Sequence, residues 1–388
     1  MSSDSPSIVF AADLHHFEGG IWKNRDDIVG DADHALKQIV DFSCEQRAGV
    51  LALGGDILDK PRPSPDPLKT IYKCLDQLQA ADVQVVFILG QHDGRFSWPD
   101  IHPWPVHLQQ AIRDKEGKHV KDEFKVLEVD GCSIYGFDYM RPAQFMQRYS
   151  EILKPEPGIF LLCHQVWKEF MGNVRQAELA MAELPFAVNL LTGDYHVHTT
   201  LSYTALDGST GTAFSPGSTH IRDVAEEETK QFFAIYCKGE SVEYASVELD
   251  TRPARRFQIT SPHEAEKFLG RLDLLPLDGE GIKRAVIDVA YYDDIEGLGD
   301  KLKEALGDRC HLFLRTRNRQ REMRAPSAVA RRAVADSGLA GSAGLVCEGT
   351  VYDSAVRLLS AIDPRVELET MRAEFYATSD AEEPQEVV

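Results

Sequence analysis

The sequence predicts a layered α/β fold followed by a second, smaller α/β unit. Short apolar runs alternate with stretches of helical spacing through the first 250 residues, the pattern of repeated β-α-β units. A Thr251-Arg252-Pro253 break then precedes a shorter β-α-β-α-β alternation. At 388 residues and 43% hydrophobic composition, the chain is too long for one ordinary compact domain and apolar enough to bury a core.

The elements follow in order. Ser7–Ala12 reads as a buried strand. Asp31–Arg47 has helical spacing through Ala35, Ile39, Val40 and Phe42. Val50–Leu53 is a strand, Pro67–Ala81 a helix opened by its proline, and Val83–Leu89 a strong strand. Further strands are expected at Phe124–Val129, Ser133–Phe137, Ile159–Cys163 and Val188–Leu191. Hairpin strands run from Thr199 to Leu249, with Asp207-Gly208 as a turn signal. In the second unit the expected strands are Arg256–Thr260, Ala285–Tyr291 and Leu312–Arg315, and the helices Glu264–Leu274 and Gly297–Leu306. An Arg-rich stretch, a Gly/Ala/Ser-rich stretch (Gly338–Gly344), an apolar helical stripe over Tyr352–Ile362 and an acidic tail close the chain. The domains are therefore read as 1–250, 251–320 and 321–388.

The 42 basic and 62 acidic residues give a net charge of −20. That balance disfavours a protein that coats nucleic acid by itself. It leaves room for local phosphate contact, because bound metal ions would reverse the sign inside a site. The seven cysteines are scattered singly without a Cys-x-x-Cys, which argues against a disulfide framework or zinc ribbon and for a reducing cytoplasm. No apolar run approaches the roughly 18 residues of a membrane span. The polar start, Met1–Ser7, lacks a signal-peptide pattern. A cytoplasmic protein is expected.

Five clusters sit where strands should end: Asp13-Leu14-His15, Gly54-Gly55-Asp56, Gly90-Gln91-His92-Asp93, Cys163-His164-Gln165, and Gly193-Asp194-Tyr195-His196-Val197-His198. In α/β sheets, sites collect beyond the carboxyl ends of strands. Asp, His and carboxamide groups converging there suit Mn²⁺, Fe²⁺ or Zn²⁺ rather than Ca²⁺ or a thiolate-bound ion. On an extended strand end, residues i and i+2 point the same way, so an Asp-x-His pair can reach one metal. His16, His34, His102, His107 and His220 read as surface or loop histidines. Each cluster alone is commonplace; their order and spacing together are not.

The combined pattern, over residues 13–198, resembles that of the calcineurin-like metallophosphoesterases: D-x-H, G-D, G-N-H-[DE], H, G-H-x-H. Two departures matter. Gln91 stands where the family has Asn, and Asp194 stands at the first His of G-H-x-H if Gly193 sets the register. The ligand pair is then Asp194 and His196, the reading preferred here because the glycine marks the strand end; the rival pair is His196 and His198. Phe214–Thr219, the Lys238-Gly239 hairpin and the cap after Thr251-Arg252-Pro253 extend the resemblance to SbcD-type DNA repair nucleases. The resemblance implies a phosphoesterase β-sandwich flanked by helices, with a small α/β cap and a C-terminal helical segment.

It also implies chemistry. Two divalent ions, Mn²⁺ first and Mg²⁺, Fe²⁺ or Zn²⁺ as alternatives, would acidify a shared water that attacks a DNA phosphodiester. Asp56 would bridge them, with Asp13, His15 and His196 on one ion and Gln91, His164 and Asp194 on the other. His92 would assist the leaving oxygen and Asp93 would orient its ring. The implied partners are DNA, an SbcC-type coiled-coil ATPase docked by the C-terminal helices, and a second nuclease subunit in a homodimer. Residues 315–332 hold seven arginines and one glutamate, a local charge of 7 − 1 = +6. Arg315, Arg317 and Arg319 are thus candidate DNA contacts, the alternative being a solvated linker. A phosphoesterase with another substrate, or a module that keeps the fold without activity, are the competing readings.

Overall fold

The computed structural model describes residues 5–16, 31–61, 65–93, 102–113, 119–171, 179–222, 226, 229–239, 241–275, 285–307 and 309–318. Arg319, the Gly/Ala/Ser-rich stretch, the Tyr352–Ile362 helix and the acidic tail lie outside these residues. Two compact units are distinguished. The larger is Met1–Arg256 with Pro276–Ile287 and Arg309–His311; the smaller takes Phe257–Leu275, Asp288–Asp308 and the chain from Leu312 on.

The chain begins with β1 (Ile8–Ala11), α1 (Asp31–Glu45), β2 (Val50–Gly54), α2 (Pro65–Ala80), β3 (Gln84–Ile88) and β4 (Val106–His107). An antiparallel pair, β5 (Gln109–Arg113) and β6 (His119–Phe124), stands apart. Next come β7 (Leu127–Val129), β8 (Cys132–Phe137), α3 (Pro142–Ile152), β9 (Ile159–His164), α4 (Lys168–Met171), β10 (Asn189–Gly193), β11 (Thr199–Thr204) and β12 (Thr210–Ser215). β13 (Gln231–Lys238) and β14 (Ser241–Glu248) follow. Two six-stranded sheets result. One has the order β14-β13-β1-β2-β3-β4, with β1 to β4 parallel. The other has the order β11-β12-β10-β9-β8-β7, parallel from β8 through β9 and β10 to β12.

Strand alternation explains the layers. Ile8, Phe10, Val50, Ala52, Val86 and Ile88 face Ile134, Phe160, Leu162, Leu191 and Phe214 in a core between the sheets. Their neighbours Val9, Ala11, Leu51, Leu53, Val85 and Phe87 pack outward on α1 and α2 through Ala35, Leu36, Ile39, Ile71, Leu75 and Leu78. The other sheet buries Leu161, Cys163 and Leu190 with Phe145 and Tyr149 of α3 and with Trp167. The fold is thus a β-sandwich flanked by helices, with strands buried on both faces and therefore continuously apolar in sequence.

The last elements are β15 (Ala254–Ile259), α5 (Pro262–Leu269), β16 (Val286–Tyr292), α6 (Leu298–Leu306) and β17 (His311–Arg317), with sheet order β15-β16-β17. Ser261 caps α5 by accepting from Glu264 N (3.2 Å), while the Glu264 carboxylate accepts from Thr260 N (2.7 Å). The helix expected over 264–274 ends at Leu269, since Gly270 follows and only a 3₁₀ turn, Leu272–Leu274, continues it. Among the described residues, no helix is long and apolar enough to cross a membrane. Cys44, Cys74, Cys132, Cys163, Cys237 and Cys310 are free thiols, and Cys347 lies outside the described residues.

Candidate metal centre

The carboxyl ends of five parallel strands, three from one sheet and two from the other, bring the predicted clusters together. Asp13 follows β1, Asp56 follows β2, Gln91 and His92 follow β3, His164 ends β9 and Asp194 follows β10. Asp13 (φ 52°), His15 (41°), Asp56 (48°) and Asp194 (76°) all lie in the left-handed region. Such backbone is held only where its surroundings over-determine it, and it clusters at functional sites. Here Asp13 N donates to Gly55 O (3.1 Å) and His15 N to Asp56 O (2.8 Å). Asp13 and His15 are therefore aimed by a coil locked to its neighbour, not by the extended strand end that the spacing suggested.

His15 Nε2 lies 3.8 Å from Asp13 Oδ1 and 3.7 Å from Asp56 Oδ2. His196 Nε2 lies 3.7 Å from Asp13 Oδ1. His164 Nε2 lies 3.4 Å from Asp56 Oδ2 and 3.9 Å from Asp194 Oδ1. Three overlapping groups, Asp13-His15-His196, Asp13-Asp56-His164 and His15-Asp56-His92, each offer ligand atoms within 4.8 Å of one another. Asp13, His15 and Asp56 each belong to two of these groups, which therefore form one continuous cluster.

The donor set fits divalent cations. Both ring nitrogens of His15 and Nε2 of His164 are buried without a hydrogen-bond partner, a costly state that coordination would relieve. His164 Nδ1 sits 2.7 Å from Gly54 O, an arrangement that leaves Nε2 toward the carboxylates. Burial pushes the Asp13 carboxyl up to about 6. Burial opposes ionisation of Asp56 too, but His164 and the His92 main-chain N–H hold it below the usual carboxylate range. A cavity of about 700 Å³, lined by Tyr139, Arg141, Gln165 and Asp194 among others, adjoins the cluster.

The remaining predicted residues divide. Gln91 is at the centre, where its Nε2 donates to Asp194 Oδ1 at 2.7 Å. His198 is not: its Nδ1 meets Pro216 O (3.2 Å), its Nε2 meets Ser246 Oγ (2.8 Å), and its ring stacks on Phe233. Both nitrogens are engaged away from the cluster, which favours the Asp194–His196 register. His92 Nε2 faces Asp56 Oδ2 at 3.9 Å, and its main-chain N donates to Asp56 Oδ1 at 2.8 Å. Its Nδ1 is anchored on Asp59 O at 3.1 Å, so Asp93 does not orient the ring. Asp93 is instead fully buried and accepts from Leu58 N (2.8 Å) and Gly90 N (2.9 Å), tying two loops of the site together. Arg315 forms a bidentate pair with buried Asp288, so its guanidinium is already engaged. Arg317 is described on β17, whereas Arg319 lies outside the described residues. His16 and His220, expected at the surface, are buried at 2% and 3% exposure.

Sequence reasoning missed three residues. Glu226 Oε1 lies 3.5 Å from His196 Nδ1. Asp59 Oδ1 lies 3.7 Å from His15 Nδ1 and 2.9 Å from Arg222 Nη2. Glu226 and Arg222 fall between β12 and β13 in no motif, so only the fold could reveal them.

No family model matches the chain. Over 227 residues, 56% of this chain and 35% of the relative, it is 23% identical to the DNA double-strand break repair protein Mre11 of Methanosarcina acetivorans. Over 184 residues, 42% of this chain and 50% of the relative, it is 29% identical to the Mre11 of Nanoarchaeum equitans. The chain thus spans about a third to a half of the length of these relatives. Among solved structures, a dimetal phosphatase from Danio rerio aligns with 63% of this chain and 98% of that chain at 9% identity and a TM-score of 0.35.

Proposed function

We propose that this chain, a distant Mre11 relative within the calcineurin-like metallophosphoesterases, is a two-metal-dependent nuclease that hydrolyses DNA phosphodiester bonds. The observation that carries the reading is the buried Asp13–Asp56 pair ringed by histidines, with both ring nitrogens of His15 and Nε2 of His164 buried without a hydrogen-bond partner. Asp13, His15 and His196 would hold one ion, His164, Asp194 and Gln91 the other, and Asp56 both. Mn²⁺ suits this mixed oxygen and imidazole set, and Mg²⁺, Fe²⁺ or Zn²⁺ are the alternatives. When bound, the ions supply Lewis acidity toward the phosphoryl group and acidify water.

The chain's own groups do the rest. The Gly55 and Asp56 carbonyls belong to the hydrogen-bonded coil that fixes the ligand loops before substrate arrives. His92 Nδ1, donating to Asp59 O, leaves Nε2 toward the centre. A proton at Nε2 makes the ring an imidazolium, able to stabilise and protonate the departing sugar oxygen. The half-exposed ring can meet substrate while its main chain stays bound to Asp56.

Residues 1–250 are the proposed nuclease domain, 251–320 a DNA-contacting cap, and 321–388 a basic linker with docking helices. An SbcC-type coiled-coil ATPase and a second nuclease subunit are the proposed protein partners, in a repair or recombination complex. The test is digestion of blunt linear, hairpin and plasmid DNA with and without Mn²⁺, beside nitrophenyl phosphodiesters, nucleotides and a phosphopeptide, with metal content read by elemental analysis. Mn²⁺-dependent DNA cleavage is expected. Hydrolysis confined to the small esters or the phosphopeptide would indicate a phosphoesterase of another substrate class.

A further inference from the structure

We propose that Glu226 is a positioning residue for the metal centre: it holds His196 in the tautomer whose Nε2 is free to bind an ion, and buried Lys230 holds Glu226 in turn. The inference rests on the two-metal reading above. His196 presents Nε2 to Asp13 Oδ1 (3.7 Å) and Nδ1 to Glu226 Oε1 (3.5 Å), so its two nitrogens face the metal cluster and a carboxylate outside it. An imidazole that ligates through Nε2 must keep its proton at Nδ1, and a carboxylate there fixes that proton, orients the ring and raises its basicity. His196 needs such help more than His164 does. His164 is wholly buried and anchored on a main-chain carbonyl, whereas the His196 side chain is 34% exposed.

Glu226 is itself immobilised. Its Oε2 accepts from Lys230 Nζ (2.8 Å), Ser218 Oγ (3.2 Å) and Arg222 N (3.1 Å). Lys230 is 3% exposed and also donates to Ser218 Oγ (2.9 Å). A buried ammonium needs a carboxylate partner, so Lys230 fixes Glu226 on the side away from His196. Ser218 N closes the circuit by donating to His196 O at 3.2 Å. The segment between β12 and β13 thus grips both the ring and the main chain of one ligand.

Two measurements on the full chain test this. Imidazole ¹⁵N NMR of the metal-free protein, recorded at a pH above the His196 titration so that the ring is neutral, reads its tautomer, and Mn²⁺ calorimetry reads the sites. The wild type should show His196 protonated at Nδ1 and bind two Mn²⁺. Glu226→Ala should lose the tautomer preference and weaken one site about 10–100-fold while the other is unchanged. Glu226→Gln, which keeps an acceptor oxygen, should recover part of the loss. If Glu226→Ala cannot fold around an unpaired Lys230, Glu226→Ala with Lys230→Met carries the same test. A folded variant with wild-type tautomer and two wild-type sites overturns the proposal. A wild type that binds no Mn²⁺ overturns the two-metal reading instead, and the tautomer then decides for or against Glu226.

Discussion

At the scale of single residues, the centre separates groups that hold ions from a group that acts on substrate. Asp56 touches three histidines of the cluster, through Oδ2 to His15, His92 and His164, and also accepts the His92 main-chain N–H. His92 is 42% exposed and needs no ion to stay in place. His92→Ala should therefore lower DNA cleavage by about 10²–10⁴-fold while metal content stays near wild type. Asp56→Ala should lose both, and equal metal loss in the two variants would refute the division. A second comparison reads the register. His198→Ala removes a ring engaged with Pro216, Ser246 and Phe233, so two ions should remain; Asp194→Ala should lose one. In the same assay Gln91→Asn should be tolerated, since the carboxamide is kept, and Gln91→Ala should be damaging. Normal metal content and full activity in Gln91→Ala would remove Gln91 from the ligand set.

At the scale of elements, the loops after the strands matter more than the strands. A Cβ built on Gly90 would collide with Asp56 Oδ1. Gly90→Ala should thus push the shared carboxylate aside and cut Mn²⁺ uptake in calorimetry while the sheets persist in circular dichroism. Asp93→Ala tests the same loop differently. It strips the acceptor from the N–H groups of Leu58 and Gly90, a cost of about 1–3 kcal/mol for each left unsatisfied. A lower melting temperature, with activity falling alongside metal content, is expected; a selective loss of turnover at full metal loading would restore Asp93 as a partner of His92. These loops also mark what could be read from sequence. Strand ends such as Val50–Leu53 and Ile159–Cys163 were legible because strands buried on both faces are short unbroken apolar runs. The polar pair β5–β6 was not, and the strand expected over 124–129 is two strands because Phe124 still pairs with Gln109 of β5 whereas Leu127–Val129 pairs with β8. Helix α3 carries only a faint local signal, Pro142 at its start with Phe145 and Tyr149 four apart, because its other positions are mostly polar. Glu226 had no local signal at all, since its meaning depends on a histidine thirty positions away in another segment.

At the scale of the whole chain, function must be reconciled with a net charge of −20. The resemblance implies that the C-terminal helical segment, with its apolar stripe over Tyr352–Ile362, docks the proposed ATPase partner, so a chain without residues 345–388 should remain a metal-loaded phosphoesterase that no longer co-purifies with such an ATPase. Retained binding in a stable truncation would sink that assignment, and aggregation would instead point to docking on the chain itself. For DNA, a strongly acidic molecule needs concentrated positive charge, which the bound ions and the arginines after residue 315 would provide. Arg315 is paired with Asp288, which is fully buried, so Arg315→Ala should cost about 2 kcal/mol of stability and leave the salt dependence of DNA binding alone. Arg317→Glu with Arg319→Glu should weaken duplex binding and flatten the slope of log affinity against log salt by about 0.9 for every phosphate no longer neutralised. Nitrophenyl ester hydrolysis should be untouched in that double variant, because neither arginine is among the proposed metal ligands. Fluorescence anisotropy at graded salt separates the two effects. A flattened slope in Arg315→Ala, or an unchanged one in the double variant, would move the phosphate-binding arginines elsewhere on the chain.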